Sequence, residues 1–301
     1  TRDLNCDHEF INLEKENFIE KLKDLVVYHD SPVSTLSHFL HSLLMQFIKS
    51  KNYKVVISGT GADELFTGYY DHFLLHLNHT KMKANFKKYL NDWRNHTANF
   101  LREPTLKDPE FYIKDPSSRG HIYDNKDKIA HFLKSPESRE FEENNYSNDL
   151  FSNRRLNELF NEVTAQTLLN EDLNAMMNSI ENRAPYLDKE LFEFCFSIPQ
   201  ELLIQDGYGK FLLRNSLKGI LQDEVRLDRR KKGFNCSIDS LIDFNDKKIK
   251  EYIMEDSLIF EYVNKKNFLK ILNNKYKDNY LSKFLFTFLS CKIFLDNYAK
   301  N

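Results

Sequence analysis

Two acidic residues follow a short turn made of small residues. The turn reads Ser58-Gly59-Thr60-Gly61, and Asp63 and Glu64 come directly after it. Two glycines permit a tight turn and let backbone N–H groups approach an anion closely. The acids stand where a helix begins, and carboxylates there offset the positive end of the helix dipole. The pattern favours a ligand-binding turn, and an ordinary turn whose acids only cap a helix is the alternative.

A strand must position this turn. Val55, Val56 and Ile57 form a β-branched run that is too short for a helix and predicts a buried parallel strand. In open α/β sheets ligands bind at the carboxyl ends of the strands, where this turn lies. The chain has 8 glycines, and three of them fall between residues 59 and 68. This concentration favours the functional interpretation.

A second glycine pair precedes a lysine. Gly207 and Gly209 come just before Lys210, and Arg214 follows one helical turn later on the same face. This arrangement aims cations at a fixed point, as phosphate groups require. The run 229–232 is basic and ends at a glycine, which predicts either a solvated surface loop or a phosphate clamp.

A third segment combines an acid, an arginine and a proline. Glu181 and Arg183 precede Ala184-Pro185, where a helix must stop, and Asp188 can cap the next helix. These two charged residues either contact a substrate or form a structural ion pair at a corner between helices.

Bulk properties exclude several classes of protein. The 301 residues carry a net charge of -2, which gives no general attraction to nucleic acid or acidic membranes. The 4 cysteines are widely spaced, as in a reduced cytosolic protein rather than a disulfide or zinc framework. No apolar run is long enough to span a bilayer. We therefore expect a cytoplasmic protein with no nucleic-acid or membrane partner.

The order of elements predicts an α/β pattern with a parallel sheet at the amino-terminal end. We expect a strand at 8–13, helices at 14–29 and 33–48, and a strand at 53–58. The remainder of the chain is predicted to be helical, with helices at 153–169, 172–181, 188–197 and 209–221. We divide the chain into a partial α/β part, 1–150, with an irregular insertion at about 100–150, and a helical part, 151–301.

Three motifs together resemble one enzyme family. Residues 58–69 resemble the second nucleotide-site motif of the glutamine-dependent asparagine synthetases, and residues 181–188 resemble their E-x-R-x-P-F-L-D segment. The sequence from Lys210 to Arg214, followed by residues 230–234, resembles their K-x-x-L-R and R-K-K-x-F pair. The motifs occur in the family's order over roughly residues 8–240.

The resemblance implies a fold and a reaction. The fold would be a PP-loop ATP pyrophosphatase-like, Rossmann-like layer, truncated at its amino terminus and joined to a large helical portion. ATP would adenylate a carboxylate, and ammonia from a glutaminase domain or subunit would convert the acyl-adenylate to an amide. The acceptor would be a small-molecule carboxylate, and a homodimer is one assembly that the resemblance allows.

The same resemblance assigns roles to individual residues. Asp63 would hold Mg²⁺ against the phosphates of ATP, and Lys210 would neutralise charge on the phosphates and the leaving group. Thr60 would take part in catalysis beside Lys210. The residues implied to bind ATP are Ser58, Gly59, Gly61, Asp63, Glu64, Lys210 and Lys232. Those implied to contact the substrate are Asp172, Glu181 and Arg183.

Two departures from the family pattern affect these expectations. The pyrophosphate-binding loop Ser-Gly-Gly-x-Asp-Ser and the glutaminase domain are absent, so we expect both upstream of Thr1 and expect this fragment alone to be inactive. Thr60 stands where asparagine synthetases usually carry Asp or Glu, and Leu173 replaces a usual Arg. These changes leave open aspartate or a sugar uronate as the acceptor. They also leave open a β-lactam-synthetase-like ligase that uses another amine, or a non-catalytic subunit.

Overall fold

The structure is a computed structural model that describes residues 7–13, 15, 17–122, 126–136, 141–274 and 278–298. Its first elements are α1 (Phe18–His29), α2 (Leu36–Ser50), β1 (Val55–Ile57), α3 (Ala62–Phe66), α4 (Tyr70–Thr80), α5 (Phe86–His96), α6 (Phe111–Lys114), α7 (Lys126–Ala130) and α8 (Leu150–Asn157). There follow a π-helix (Glu158–Leu168), α9 (Leu169–Met176), β2 (Glu181–Arg183), α10 (Lys189–Ser197), α11 (Phe211–Ser216), α12 (Asp223–Arg226), α13 (Lys247–Met254), α14 (Ile259–Tyr262), α15 (Lys265–Leu272) and α16 (Asn279–Tyr298). Short 3-10 turns lie at Ala98–Phe100, Thr105–Lys107, Pro185–Leu187, Gln200–Leu202 and Ile238–Ser240.

A two-stranded parallel sheet joins distant parts of the chain. β1 pairs with β2, so that Val55 lies opposite Glu181 and Ile57 lies opposite Arg183. The predicted parallel pairing of the first strand is therefore confirmed. Its predicted burial is wrong, because the side chains of Val55 and Ile57 are 43% and 71% exposed. Successive side chains point to opposite faces of a strand, and only Val56 packs against the apolar cluster of α2 and α9.

Two further expectations about the elements are wrong. Residues 8–13 form no strand, since this segment makes no ladder with another part of the described chain. The helix expected over 172–181 ends at Met176, and β2 begins five residues later. Ser179 adopts a left-handed conformation with φ 57°, which a helix cannot continue through. The expected helix at 188–197 is confirmed by α10.

The largest apolar core brings both ends of the chain together. Phe39 of α2 packs edge-on against Phe18 of α1 and also contacts Phe286 of α16. The backbone N–H of Val33 donates a 2.7 Å hydrogen bond to Ser290 Oγ. This core also includes side chains of α13, α14 and α15. It thus combines elements from both sides of the predicted division at residue 150, and that division stays a prediction.

Two smaller cores lie under the elements that carry the motifs. One joins α4 and α5 to the predicted insertion, with Trp93 and Tyr112 buried side by side with other aromatic and aliphatic residues. The other lies beneath α3 and contains Leu65, Leu159 and Cys195. α3 has only five residues and cannot be stable alone, so packing must hold it in place.

One continuous helical rod runs from α8 through the π-helix into α9. Asp149 caps its beginning, since the carboxylate accepts a 2.7 Å hydrogen bond from the backbone N–H of Ser152. The central eleven residues form the π-helix, an arrangement that usually occurs as a single turn. Within the described ranges, no helix has both the length and the apolar character for crossing a bilayer.

We predict that His76 makes stability depend on pH below neutrality. Its side chain is 1% exposed and packs against Tyr89, and burial lowers the pKa of His76 from 6.5 to about 4. The unfolded chain therefore binds a proton first. His76 opposes unfolding fully above pH 6.5, and this contribution declines as pH falls from 6.5 towards 4, by about 1–3 kcal/mol.

Urea unfolding at several pH values measures this effect. His76→Gln should flatten the decline between pH 6.5 and 4, because glutamine takes up no proton. His131 has an exposed side chain, so His131→Gln is the matched control and should leave the slope unchanged. Equal slopes for His76→Gln and the unsubstituted protein would contradict the prediction.

Candidate active site

A strongly basic cavity lies where the first and third motifs meet. Its volume is about 130 Å³. The lining residues are Asp63, Gly68, Tyr70, Phe73, Tyr208, Gly209, Lys210, Arg214, Arg229, Arg230, Lys231 and Lys232. Six of these side chains carry positive charge and one carries negative charge. Such a charge balance fits a polyanion, and a triphosphate is an example.

Asp63 is the single carboxylate at the centre of this cavity. Its Oδ1 lies 2.6 Å from Lys210 Nζ, and its Oδ2 lies 3.3 Å from Lys231 Nζ. Burial raises the pKa of Asp63, but the positive charges of Lys231 and Lys210 outweigh this and hold the pKa below its usual range. Asp63 is therefore ionised at neutral pH. The predicted convergence of Asp63 and Lys210 on one cavity is confirmed.

Arg155 fixes the short helix that carries Asp63. Its Nε and Nη2 donate hydrogen bonds of 3.0 and 2.6 Å to the carbonyl oxygens of Glu64 and Leu65 at the end of α3. These carbonyls have no partners within so short a helix, and they form its negative end. The guanidinium also lies 4.3 Å from the ring of Phe196. Burial lowers the pKa of Arg155 to about 10, which still leaves it charged at neutral pH.

Close backbone contact brings the Lys210 segment onto α3. The N–H of Lys210 donates a 2.8 Å hydrogen bond to the carbonyl oxygen of Phe66, and Lys210 itself has φ 56°. A Cβ atom at Gly209 would lie 2.5 Å from the carbonyl oxygen of Thr67. Gly209 is therefore required for this approach. Arg214 supports the loop, since its Nε donates a 2.9 Å hydrogen bond to the carbonyl oxygen of Gly209.

Lys231, rather than Lys232, is the residue of the basic run that reaches Asp63. Its ammonium lies 3.6 Å from the centre of the Tyr69 ring, which stabilises the cation further. The hydroxyl of Tyr69 in turn donates a hydrogen bond to Glu64. Lys232 lines the cavity but pairs with Asp228 at 3.0 Å and is 72% exposed.

The structure gives Glu64 a different position from the one that the motif suggested. Its carboxylate is buried and bonded to Tyr69, and it does not line the cavity. Glu64 thus acts on the cavity indirectly, because Tyr69 lies under Lys231.

The turn before α3 lies beside the cavity and not in its lining. Ser58 Oγ donates to Thr60 Oγ1 over 3.2 Å, and the Thr60 hydroxyl bonds to the carboxylate of Glu171 on α9. A Cβ atom at Gly61 would lie 2.5 Å from Leu187 Cδ2, and Gly61 has φ 94°, so glycine is needed there. At Gly59 nothing lies within 4 Å of such an atom, which leaves space for a ligand.

The three predicted substrate residues lie outside the cavity lining. Glu181 and Arg183 form a 2.8 Å ion pair with each other and are 59% and 60% exposed. Asp172 is exposed on α9. The geometry agrees with a surface ion pair for the first two, and their contact with a substrate stays a prediction.

Sequence patterns did not single out several side chains that shape the site. Arg155 and Glu171 lie in a stretch predicted only as helix, and Tyr69 was considered only as part of a motif. Their positions depend on contacts with residues about 90 to 110 positions away, which no local spacing reveals. Lys231 was visible as a member of the basic run, but sequence alone does not say which lysine of the run faces inward.

A second cluster of titratable groups lies apart from the cavity. Ligand atoms of Asp71, His72 and Glu158 lie within 4.8 Å of one another, and all three residues are buried. Arg154 Nε lies 3.0 Å from Glu158 Oε1 and 3.6 Å from Asp71 Oδ2. A guanidinium therefore already supplies the positive charge that these carboxylates need. His72 bonds to Glu158 at 2.7 Å, which agrees with a packing role.

Comparison with known proteins identifies the family. The profile of the family described as Asparagine synthase matches residues 1–295. The chain belongs to the asparagine synthase family. This family is one of ATP-dependent ligases, and the recognition from the three motifs is confirmed.

Two curated members of the asparagine synthase family are similar to this chain. Asparagine synthetase [glutamine-hydrolyzing] 1 of Bacillus subtilis (strain 168) is 26% identical over 282 residues, which cover 88% of this chain and 44% of that protein. Asparagine synthetase [glutamine-hydrolyzing] 3 of the same organism is 24% identical over 245 residues, 75% of this chain and 33% of that protein. The chain spans less than half the length of either relative.

We predict that Gly68 is required for the ion pair in this asparagine synthase domain. A Cβ atom at Gly68 would lie 1.6 Å from Asp63 Oδ1 and 2.6 Å from Lys210 Cε. Gly68→Ala must therefore displace both side chains, and it should lower the free energy of unfolding by about 1–3 kcal/mol. Urea denaturation measures the change.

Gly59→Ala is the matched control, since nothing lies within 4 Å of the added atom. It should change the free energy of unfolding by less than about 0.5 kcal/mol. A loss at Gly68→Ala no larger than that at Gly59→Ala would show that the two side chains can move away at little cost.

Proposed function

We propose that this chain is the synthetase part of an ATP-dependent amidotransferase that adenylates a carboxylate and converts it to an amide with ammonia. The proposal is carried by one observation: Asp63 is bonded to both Lys210 and Lys231 in a cavity with six basic side chains. Membership of the asparagine synthase family supports the reaction class. Ammonia released from glutamine fits the printed names of the relatives, which are glutamine-hydrolysing enzymes.

The donor set fits ATP together with a magnesium ion. Six cations exceed what one aspartate needs, and the surplus matches the negative charge of a triphosphate. Mg²⁺ in nucleotide sites uses one or two carboxylates together with phosphate oxygens, and Asp63 supplies one carboxylate. When bound, the ion would screen the negative charge of the phosphates. Lys210 and Lys231 would then turn from Asp63 towards the phosphate oxygens.

The chain's own residues account for the chemistry of adenylation. The acceptor carboxylate attacks the α-phosphorus of ATP, and pyrophosphate leaves with the electron pair of the broken P–O bond. Negative charge grows on the leaving oxygens, and preorganised ammonium groups stabilise it. Lys210 is preorganised by its backbone hydrogen bond to Phe66, and Lys231 by the ring of Tyr69. Neither cation must be recruited from solvent during the reaction.

Two candidates remain for the acceptor, and one further function deserves a test. Aspartate and a sugar uronate both offer a carboxylate, and Leu173 in place of a usual Arg removes a charge that would favour aspartate. Thr60 favours a ligase that joins another amine. Rates of product formation with ammonia and with a panel of amines distinguish these functions, because strict dependence on glutamine or ammonia excludes the other amine.

We predict that Lys210→Ala abolishes acceptor-driven exchange between ATP and pyrophosphate in the full-length gene product. The substitution removes the cation that lies 2.6 Å from Asp63, so charge on the leaving group is no longer balanced. Exchange is measured with labelled pyrophosphate in the presence of aspartate or a uronate. Lys247→Ala is the control, since Lys247 is 90% exposed on α13. Near-normal exchange with Lys210→Ala would exclude the proposed role.

The two neighbouring lysines of the basic run should differ in effect. Lys231→Ala removes an ammonium that contacts both Asp63 and Tyr69, and should lower the exchange rate by about 100-fold or more. Lys232→Ala removes a side chain that is 72% exposed and paired with Asp228, and should lower the rate less than about fivefold. A larger loss at Lys232 than at Lys231 would reverse this assignment.

A further inference from the structure

Three separate elements converge on the carboxylate of Glu171. Thr60 Oγ1 lies 2.9 and 2.8 Å from the two carboxylate oxygens, and Asn182 Nδ2 lies 3.3 Å from Oε2. Glu171 belongs to α9, Thr60 to the turn after β1, and Asn182 to β2. The cluster therefore lies at the paired strands, next to the turn that opens α3.

The direction of each hydrogen bond follows from the chemistry of the groups. An ionised carboxylate only accepts, so the hydroxyl of Thr60 donates its proton to Glu171. Ser58 Oγ donates to Thr60 Oγ1. One lone pair of the Thr60 oxygen is left for a further donor. Asn182 Oδ1 is a second acceptor, because it is buried and without a partner in the described part of the chain.

This set of groups fits an N–H donor as its ligand. The cluster contains acceptors and one acid, and none of the ion pairs between described residues includes Glu171. Burial raises the pKa of Glu171, although the hydrogen bonds from Thr60 and Asn182 act in the opposite direction. A partly buried carboxylate without a neighbouring cation readily takes up a proton.

The cluster is close enough to the cavity to serve the same reaction. Three peptide units separate Thr60 from Asp63, so their Cα atoms are at most about 11 Å apart. The phosphates of an acyl-adenylate bound at Asp63 and Lys210 would leave its acyl carbon within reach of this side of the sheet. Ammonia must approach that carbon and lose a proton there.

We propose that Thr60 and Glu171 form the proton relay for the attacking amine, with Asn182 orienting Glu171. The inference rests on the proposed function. The lone pair of ammonia forms the C–N bond, and the C–O bond to AMP breaks with its electron pair leaving on AMP. One N–H proton passes to Thr60 Oγ1 while the hydroxyl proton of Thr60 passes to Glu171. The products are a neutral amide, AMP and protonated Glu171, which returns its proton to water.

Glu171 acts through Thr60 and is therefore a positioning residue, so the test separates the two half-reactions. In the full-length gene product, Glu171→Gln should leave exchange between ATP and pyrophosphate within about twofold. Amide formation from ammonium chloride should fall at least about tenfold at neutral pH, and the deficit should narrow as pH rises. Thr60→Val should behave like Glu171→Gln, and Thr60→Ser should retain amide formation. Glu251→Gln, at an exposed position on α13, is the control.

The outcomes distinguish the relay from the proposed function. Equal losses in exchange and amide formation, or no loss in either, would overturn the relay and leave the adenylation proposal standing. An unsubstituted protein that shows no exchange with aspartate or uronates would overturn the proposed function instead.

In that case a direct titration decides the relay. The ¹³C signal of the Glu171 carboxyl, assigned by its loss in Glu171→Gln, should titrate above the ordinary value of about 4.3 and higher still in Thr60→Val. A midpoint at or below the ordinary value would exclude Glu171 as the proton acceptor.

Discussion

The ion pair between Asp63 and Lys210 is the contact on which the site depends. Taking either charge partly out of water is unfavourable, and the pairing offsets this cost only with good geometry. The 2.6 Å contact meets that condition, and Lys231 neutralises the second carboxylate oxygen. A carboxylate with two ammonium partners is overcompensated, so the cavity keeps an excess of positive charge for an anion. The same contact therefore stabilises the fold and prepares the site for its ligand.

Most of the surrounding structure can be understood as support for this contact. Gly68 and Gly209 leave room for the two segments to approach, and Arg155 anchors the short helix from behind. Tyr69 holds Lys231 in place and is itself held by Glu64. None of these supporting groups needs to touch a substrate. Their substitution would change the position of the charges rather than the chemistry itself.

The sequence predicted the parts of the site that are encoded locally. The turn at 58–61, Asp63 and Lys210 could be found because glycine and charge recur at short spacings, and the structure brings Asp63 and Lys210 together. Burial of β1 was predicted wrongly, since a β-branched run indicates a strand but not how many of its faces are covered. β2 was missed because Glu181-Asn182-Arg183 has no apolar residue, and pairing with β1 alone makes it a strand. Arg155 and Glu171 depend on tertiary contacts, which leave no periodic signal.

The π-helix between α8 and α9 affects how the site tolerates changes in chain length. Each of its wider turns holds one residue more than an α-helical turn, and the rod still begins with Arg155 against α3 and ends with Glu171 against Thr60. The segment thus takes up additional residues within the rod instead of in a loop. A homologue with a shorter, purely α-helical connection would still present both side chains, so insertions and deletions can accumulate here during evolution without dismantling the site.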